Sequence, residues 1–273
     1  MPQPVSFPKG KVIMMQEQQE RTAGGPNRDM VIGRNPVMEL LKSGRPVDKL
    51  LVAQGEVRGS IGKIISLARQ QGILVKDTNG QKMDALCGGA SHQGVIAYTA
   101  AAAYAQLDDV FQLAESRGEP VLILIADELE DPHNLGAILR TAECCGAHGV
   151  LIPKRRSVGL TSAVFKTSAG AAEYVPVVRV ANLAAAVEEL KRRGVWIYAA
   201  DMQGTPWCQQ DYSGPVGLIV GSEGQGVSRL LRDKCDFTVS LPMQGKITSL
   251  NASVAASVVL YEIARQRLGL RAK

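Results

Sequence analysis

From Met30 onward, short apolar runs alternate with stretches whose apolar residues recur every three or four positions. The first pattern is that of buried strands and the second that of amphipathic helices. Over residues 30–100 the pattern predicts helix Asn35–Lys42, strand Lys49–Ala53, helix Ser60–Gln71, strand Ile73–Asp77, helix Gln81–Leu86 and strand Gly94–Thr99. Such short elements suit a small α/β sandwich. The run Ala100–Ala105 reads as a linker into helix Leu107–Ser116, so residues 101–118 join two segments. Residues 119–273 then carry strands Val121–Ala126, Gly149–Pro153, Val175–Val180, Val195–Ala200, Val216–Val220 and Phe237–Leu241. Between them lie helices near Leu135–Cys145, Ser162–Ala172, Leu183–Arg193 and Ser228–Lys234, and a last long helix spans Ser249–Leu268. Strands that are apolar throughout belong in a parallel sheet covered on both faces, and ligands bind beyond the carboxyl ends of its strands.

Composition sharpens this picture in three places. Hydrophobic residues make up 45 % of the 273 positions but aromatics only 4 %, so the core is aliphatic. No apolar run reaches the ~20 residues a membrane span needs. The first 29 residues mix Gln, Glu, Arg, Pro and Gly without an apolar centre, which predicts a flexible tail rather than a secretory signal. Glu17 and Glu20 argue against a transit peptide. Cys87, Cys144, Cys145, Cys208 and Cys235 form no C-x-x-C pair, and their odd number argues against a disulfide framework, so a reducing, cytoplasmic setting is expected. His92, His133 and His148 are too scattered for a metal site. The net charge is +5, and residues 1–105 hold 13 Lys and Arg against 8 Asp and Glu, while residues 106–273 hold 18 of each. The excess positive charge of the first segment suits a polyanion.

The chemistry concentrates after three of the expected strands. Val121–Ala126 is followed by Asp131-Pro132-His133-Asn134-Leu135-Gly136, with Arg140 six residues beyond Asn134. Val216–Val220 runs into Gly221-Ser222-Glu223-Gly224-Gln225-Gly226. Phe237–Leu241 runs into Pro242-Met243-Gln244-Gly245 and then Ser249-Leu250-Asn251-Ala252-Ser253. By itself, Asn134 suits a helix cap and Arg140 a partner for Glu143. Glu223 suits a carboxylate holding its own loop, and Ser249 a cap for the last helix, with Asn251 in its first turn. The glycines are spaced G-x-x-G-x-G, not G-x-G-x-x-G, and no carboxylate follows where a dinucleotide ribose needs one.

Taken together and in this order, the three segments resemble the motifs of the SpoU/TrmH family of RNA ribose methyltransferases. The resemblance covers roughly 130 residues. It implies a SPOUT-class domain: a mostly parallel α/β sheet with a deep trefoil knot at the C-terminus, preceded here by a small ribosomal-protein-like RNA-binding domain. It also implies S-adenosylmethionine as methyl donor, a homodimer, and an active centre containing Asn134, Arg140, Glu223, Ser249 and Asn251. Gly221, Leu241, Met243 and Leu250 would line the donor. The start Gly33-Arg34-Asn35-Pro36 matches members with such an extension, and the whole is most similar to the RlmB branch, which methylates a guanosine ribose of large-subunit rRNA. A tRNA-directed relative is the near alternative. A non-catalytic RNA-binding protein would be expected to lack motif residues, and none is lacking.

Methyl transfer to a ribose hydroxyl is an in-line displacement, so the oxygen must be aligned and its proton removed. A guanidinium surrenders its proton at high cost, so Arg140 is read as a cationic clamp on phosphate and on developing alkoxide. Either a phosphate oxygen or Glu223 serves as proton acceptor in this scheme. Lys154-Arg155-Arg156 follows a strand at its carboxyl end and is expected to meet RNA phosphate, as is Arg34. Lys191-Arg192-Arg193 closes a helix and is read as a solvated cap.

Overall fold

The computed structural model describes residues 28–55 and 59–270. Most of the expected tail, residues 1–29, therefore lies outside the described residues, and its last two positions open a strand instead. The N-terminal elements run β1 (Arg28–Ile32), α1 (Arg34–Ser43), β2 (Val47–Ala53), α2 (Ser60–Gln70), β3 (Leu74–Thr78), α3 (Gly80–Cys87) and β4 (Val95–Ala100). They form a four-stranded sheet in the order β1-β4-β2-β3. β4 is antiparallel to both its neighbours, and β2 and β3 are parallel. β1 was absent from the expected elements because only three of its residues, Met30 to Ile32, are apolar. Its ladder with β4, which aligns Met30 with Tyr98, supplies what the local pattern lacks.

The remaining elements are α4 (Leu107–Arg117), β5 (Leu122–Ala126), α5 (Pro132–Cys144), β6 (Gly149–Pro153), α6 (Ser162–Thr167), β7 (Val177–Val180), α7 (Leu183–Arg192), β8 (Trp196–Pro206), β9 (Val216–Val220), α8 (Arg229–Arg232), β10 (Phe237–Ser240) and α9 (Ala252–Arg267). The six strands lie in the order β10-β8-β9-β5-β6-β7, and every adjacent pair is parallel. β5 and β9 are buried at every position, as apolar runs require. Period-two alternation sends Leu122, Leu124 and Ala126 to the core beneath α5 and α9, and Ile123 and Ile125 to the core beneath α4 and α7.

Several boundaries depart from the sequence pattern, four of them with a clear local cause or consequence. The helix expected over Ser162–Ala172 stops at Thr167, because Ala169 and Gly170 take positive φ values of 53° and 95° before a 3₁₀ turn at Ala171–Glu173. β7 begins after Pro176, which has no N–H to give a ladder. β8 continues to Pro206, and its pairing with β10 jumps from Ala199 to Thr205 across Thr238 and Val239. The last helix begins at Ala252, three residues later than expected, with Asn251 rather than Ser249 as its cap.

The two sheets are joined by side chains as well as by the linker. Phe165 of α6 is 2 % exposed and packs in the core of the N-terminal sheet. The Arg45 guanidinium lies over its ring at 5.0 Å, donates to Glu173 Oε1 at 2.9 Å, and donates to the Ala100 carbonyl at 2.7 Å. Tyr174 donates to Glu39 Oε2 at 2.6 Å. The expected linker is itself docked: the Tyr104 hydroxyl accepts from the Leu160 N–H, and the Ala105 N–H donates to the Val177 carbonyl. No described helix is long and apolar enough to cross a membrane.

A candidate active site at the carboxyl edge of the parallel sheet

β5 and β9 are neighbours with Ala126 opposite Val220, so the loops leaving them emerge side by side. The first loop leads into α5, which starts earlier than the sequence suggests. Asp131 caps it, accepting from the His133 N–H at 2.9 Å, and Pro132 takes the first helical position. Asn134 is therefore not the cap but lies inside the first turn, 6 % exposed. Gly136 follows because α5 presses against α6: a Cβ there would sit 1.9 Å from Thr167 Oγ1.

Three of the expected catalytic residues meet. Asn134 donates through Nδ2 to Glu223 Oε1 at 3.1 Å. Asn251 donates through Nδ2 to Asn134 Oδ1 at 2.8 Å and also to Glu223 Oε1. The orientation of the Asn251 amide is fixed independently. Its Oδ1 caps α9, accepting from the Ser253 and Val254 N–H groups at 3.0 and 3.3 Å and from the Ser253 hydroxyl at 2.6 Å. With the oxygen held by the helix, the NH₂ must face the carboxylate. Both amides converge on Oε1, which leaves Oε2 of Glu223 for a proton or a hydroxyl. α5 and α9 are further tied by a 2.8 Å hydrogen bond between the hydroxyls of Thr141 and Ser257, a contact the motifs did not signal.

Glu223 stands on a loop with a closed neck. Ser222 and Gly226 pair across it, with the Gly226 N–H donating to the Ser222 carbonyl at 2.8 Å. A Cβ at Gly221 would fall 1.9 Å from the Gly226 carbonyl and 2.3 Å from Val227 N. The missing side chain at Gly221 is thus required by the loop itself, whatever approaches it from outside. Asp127, just past β5, holds both ends of this loop through its own N–H and its carboxylate.

The other expected residues stand apart from this cluster. Arg140 is exposed on α5, about 9 Å along the helix and a third of a turn around from Asn134. It makes no hydrogen bond or ion pair with any described residue, including Glu143. Ser249 is exposed in the loop between β10 and α9 and is likewise without a hydrogen bond to described residues. Leu241 is half-buried against the core, whereas Met243 and Leu250 stand 37 % and 40 % exposed. Residues 242–250 make no hydrogen bond to another described residue, so their backbone groups remain available.

Of the expected RNA contacts, Lys154 and Arg155 are exposed at the carboxyl end of β6. Arg156, at φ 54°, pairs with Glu128 at 3.1 Å. Arg34 is held by Gln93, donating through Nε to its carbonyl at 2.8 Å. Lys191, Arg192 and Arg193 close α7, paired with Asp236, Glu189 and Asp108. Among the described residues no His, Cys, Asp and Glu cluster could hold a metal, and the five cysteines are free. Burial pushes the Cys145 thiol up to about 11 and Cys235 to about 12, so these two are inert packing groups.

Both sheets have counterparts in known proteins. Residues 121–261 match the SpoU rRNA methylase family, and residues 30–105 match an RNA 2′-O ribose methyltransferase substrate-binding domain. YacO of Bacillus subtilis (strain 168), which carries a TrmH-family tRNA/rRNA methyltransferase name, is 50 % identical over 240 residues, covering 88 % of this chain and 96 % of its own. The crystal structure of the SpoU methyltransferase AviRb from Streptomyces viridochromogenes in complex with AdoMet aligns with a TM-score of 0.75 at 26 % identity, covering 93 % of this chain and 98 % of that one. A solved RNA 2′-O ribose methyltransferase aligns at 0.74 and 25 % identity, with 95 % of each chain covered.

Proposed function

The chain belongs to the SpoU rRNA methylase family, and we propose that it transfers a methyl group from S-adenosylmethionine to the 2′-hydroxyl of a ribose in RNA, a guanosine of 23S rRNA. The observation that carries this reading is the convergence of the Asn134 and Asn251 amides, from the starts of α5 and α9, on one carboxylate oxygen of the Glu223 loop. S-adenosylmethionine supplies an electrophilic methyl on a sulfonium that leaves readily. The protein's task lies with the hydroxyl.

Glu223, oriented by the two amides, offers Oε2 to the ribose hydroxyl or its proton. Arg140, without a hydrogen bond or ion pair among the described residues, clamps the adjoining phosphate and stabilises negative charge growing on the oxygen. Ser249, unbonded in its loop, adds a hydroxyl on the same side. The donor fits beside them. The unpaired backbone of 242–250 can bind an adenine edge, Met243 and Leu250 expose apolar side chains to cover it, and the Gly221 backbone borders the space. Leu241 supports this loop from the core.

In this reading residues 30–100 grip RNA, residues 101–118 connect, and residues 119–273 carry the chemistry, knotted at α9 as in the family. Lys154 and Arg155 extend the RNA surface along the edge, with Arg34 and Arg156 contributing from positions already braced by protein partners. Val254 and Tyr261, exposed a helical repeat apart on α9, suit a homodimer contact. An RNA substrate and unpaired cysteines suit the cytoplasm. A tRNA ribose is the second reading, because the three loops address donor and ribose rather than a base sequence. Mapping 2′-O-methyl marks across total RNA with and without the protein tests both. Loss of one guanosine mark in 23S rRNA is expected; loss of a tRNA mark instead would move the target, and no lost mark would overturn the activity.

A further inference from the structure

Asp127 is a carboxylate in an apolar setting. It follows the fully buried strand β5 and is 5 % exposed. Burying a carboxylate is costly unless it is paired or hydrogen-bonded. Among the described residues the Asp127 side chain has one hydrogen-bond partner, the Ser228 N–H, which donates to its Oδ2 at 2.8 Å. Its own N–H donates to the Val220 carbonyl at 2.8 Å. Val220 is the last residue before the Glu223 loop and Ser228 the first after it. One residue therefore fastens both ends.

Between these two points the loop has little freedom. Gly221 packs on the backbone of Gly226 and Val227, and Ser222 pairs with Gly226. Val227 is buried, and its carbonyl accepts from Arg232 Nη2 at 3.0 Å, with Arg232 held in turn by Asp201 at 3.1 Å. A neck so closed transmits the position of its base to its tip, and the tip is Glu223. Glu128, immediately after Asp127, has φ 54°, a conformation non-glycine residues seldom adopt. It turns the chain sharply away toward α5.

We propose that Asp127 is a positioning residue of the reaction: by pinning Ser228 while its backbone holds Val220, it sets the carboxylate of Glu223 against Asn134 and Asn251. The proposal rests on the reading of Glu223 as a group at the reacting centre. Asp127 itself touches no reacting atom. What it does is fix a geometry whose loss by a fraction of an ångström lowers the rate.

The test uses the full chain, S-adenosylmethionine, and large-subunit rRNA from cells lacking the protein. Loss of a hydrogen bond to a charged group corresponds to roughly a ten- to hundredfold loss of rate. Asp127→Ala should slow single-turnover methylation by that factor when assayed well below its melting temperature, which should itself fall by a few degrees. Asp127→Asn keeps an oxygen in the same place and should stay within about threefold of wild type. In the double variant Asp127→Ala/Glu223→Ala, the rate should be no lower than in Glu223→Ala alone, because Asp127 acts through Glu223. A wild-type rate in Asp127→Ala, or losses that multiply in the double variant, would overturn the proposal. If Asp127→Ala does not fold, Asp127→Asn decides: a folded variant slowed more than tenfold means that the charge, not the position, is used. Amide hydrogen exchange separates this failure from failure of the reading beneath it. Were the wild-type protein inactive on the rRNA, unchanged protection of Gly226 and Ser228 in Asp127→Ala would still refute the pinning, and faster exchange would still support it.

Discussion

The two edges of the six-stranded sheet treat their polar groups in opposite ways. At the amino edge they are tied off. Arg267, at the end of α9, donates to the carbonyls of Pro120, Val121 and Gly214. Gln266 bridges Tyr212 and Gln210. His148 is fully buried and accepts the Leu122 N–H at Nδ1, while its Nε2 lies 3.2 Å from Glu119 without a hydrogen bond and is the exception at this edge. At the carboxyl edge Arg140, Ser249, Lys154 and Arg155 have no side-chain partner among the described residues, and the backbone of 242–250 is open. The same strands end in both places. One end is closed by its own side chains, and the other keeps unpaired groups where parallel sheets generally take their ligands.

The strongest challenge to that division is Arg140→Ala. It should lower single-turnover methylation by roughly two orders of magnitude or more, with Arg140→Lys recovering only part, since a point charge lacks the planar fork. Donor binding by calorimetry and the melting temperature should hardly change. A fall in melting temperature would place Arg140 among the tied-off groups.

Arg267→Ala asks the converse question. Four carbonyls lose a donor, the fourth being Tyr212 at 3.5 Å, which should cost about 2–3 kcal/mol, or roughly 4–10 °C in melting temperature. Activity per folded molecule should persist; its loss would show that the edges are not separable.

A smaller effect is expected for Lys154→Ala with Arg155→Ala. RNA affinity should weaken, and the slope of log affinity against log salt should flatten by about 1–2, without change in donor affinity. An unaltered slope would remove these residues from the RNA surface.

The smallest effect concerns pH. Burial, with help from Arg117 and Arg267, holds the His148 pKa below its ordinary value of 6.5, against the opposing pull of Glu119. Below pH 6.5 the unfolded chain then binds a proton that the folded chain refuses. Stability from this group is therefore complete above pH 6.5 and declines as pH falls beneath it. Urea melts from pH 5 to 7 should show that slope in wild type and a shallower one in His148→Asn, whose side-chain oxygen can still accept from Leu122. Equal slopes would assign the dependence to other groups.

Much of this could be read from the chain. The strands of the parallel sheet announced themselves as apolar runs, and the three motif segments follow strands β5, β9 and β10 as the pattern required. Asn134, Glu223 and Asn251 could be named because their spacing resembles a known family. What stayed hidden depends on partners distant in sequence. β1 is a strand only because β4 pairs with it. Asn251, not Ser249, caps α9, and two plausible caps within three residues cannot be ranked without the backbone. Asp127 carried no signal in the sequence pattern, because its partner Ser228 lies 101 positions away.

The double employment of Asn251 restricts which residues position 251 can accept. Asp, Ser and Thr can begin a helix, but none presents an NH₂ toward a carboxylate. Gln presents one but reaches too far to cap. Of the twenty side chains, only Asn satisfies both neighbours at once, so this site should admit no viable neutral drift. Saturation mutagenesis scored by function should return a single letter there, while the adjoining exposed positions 244–248 return many.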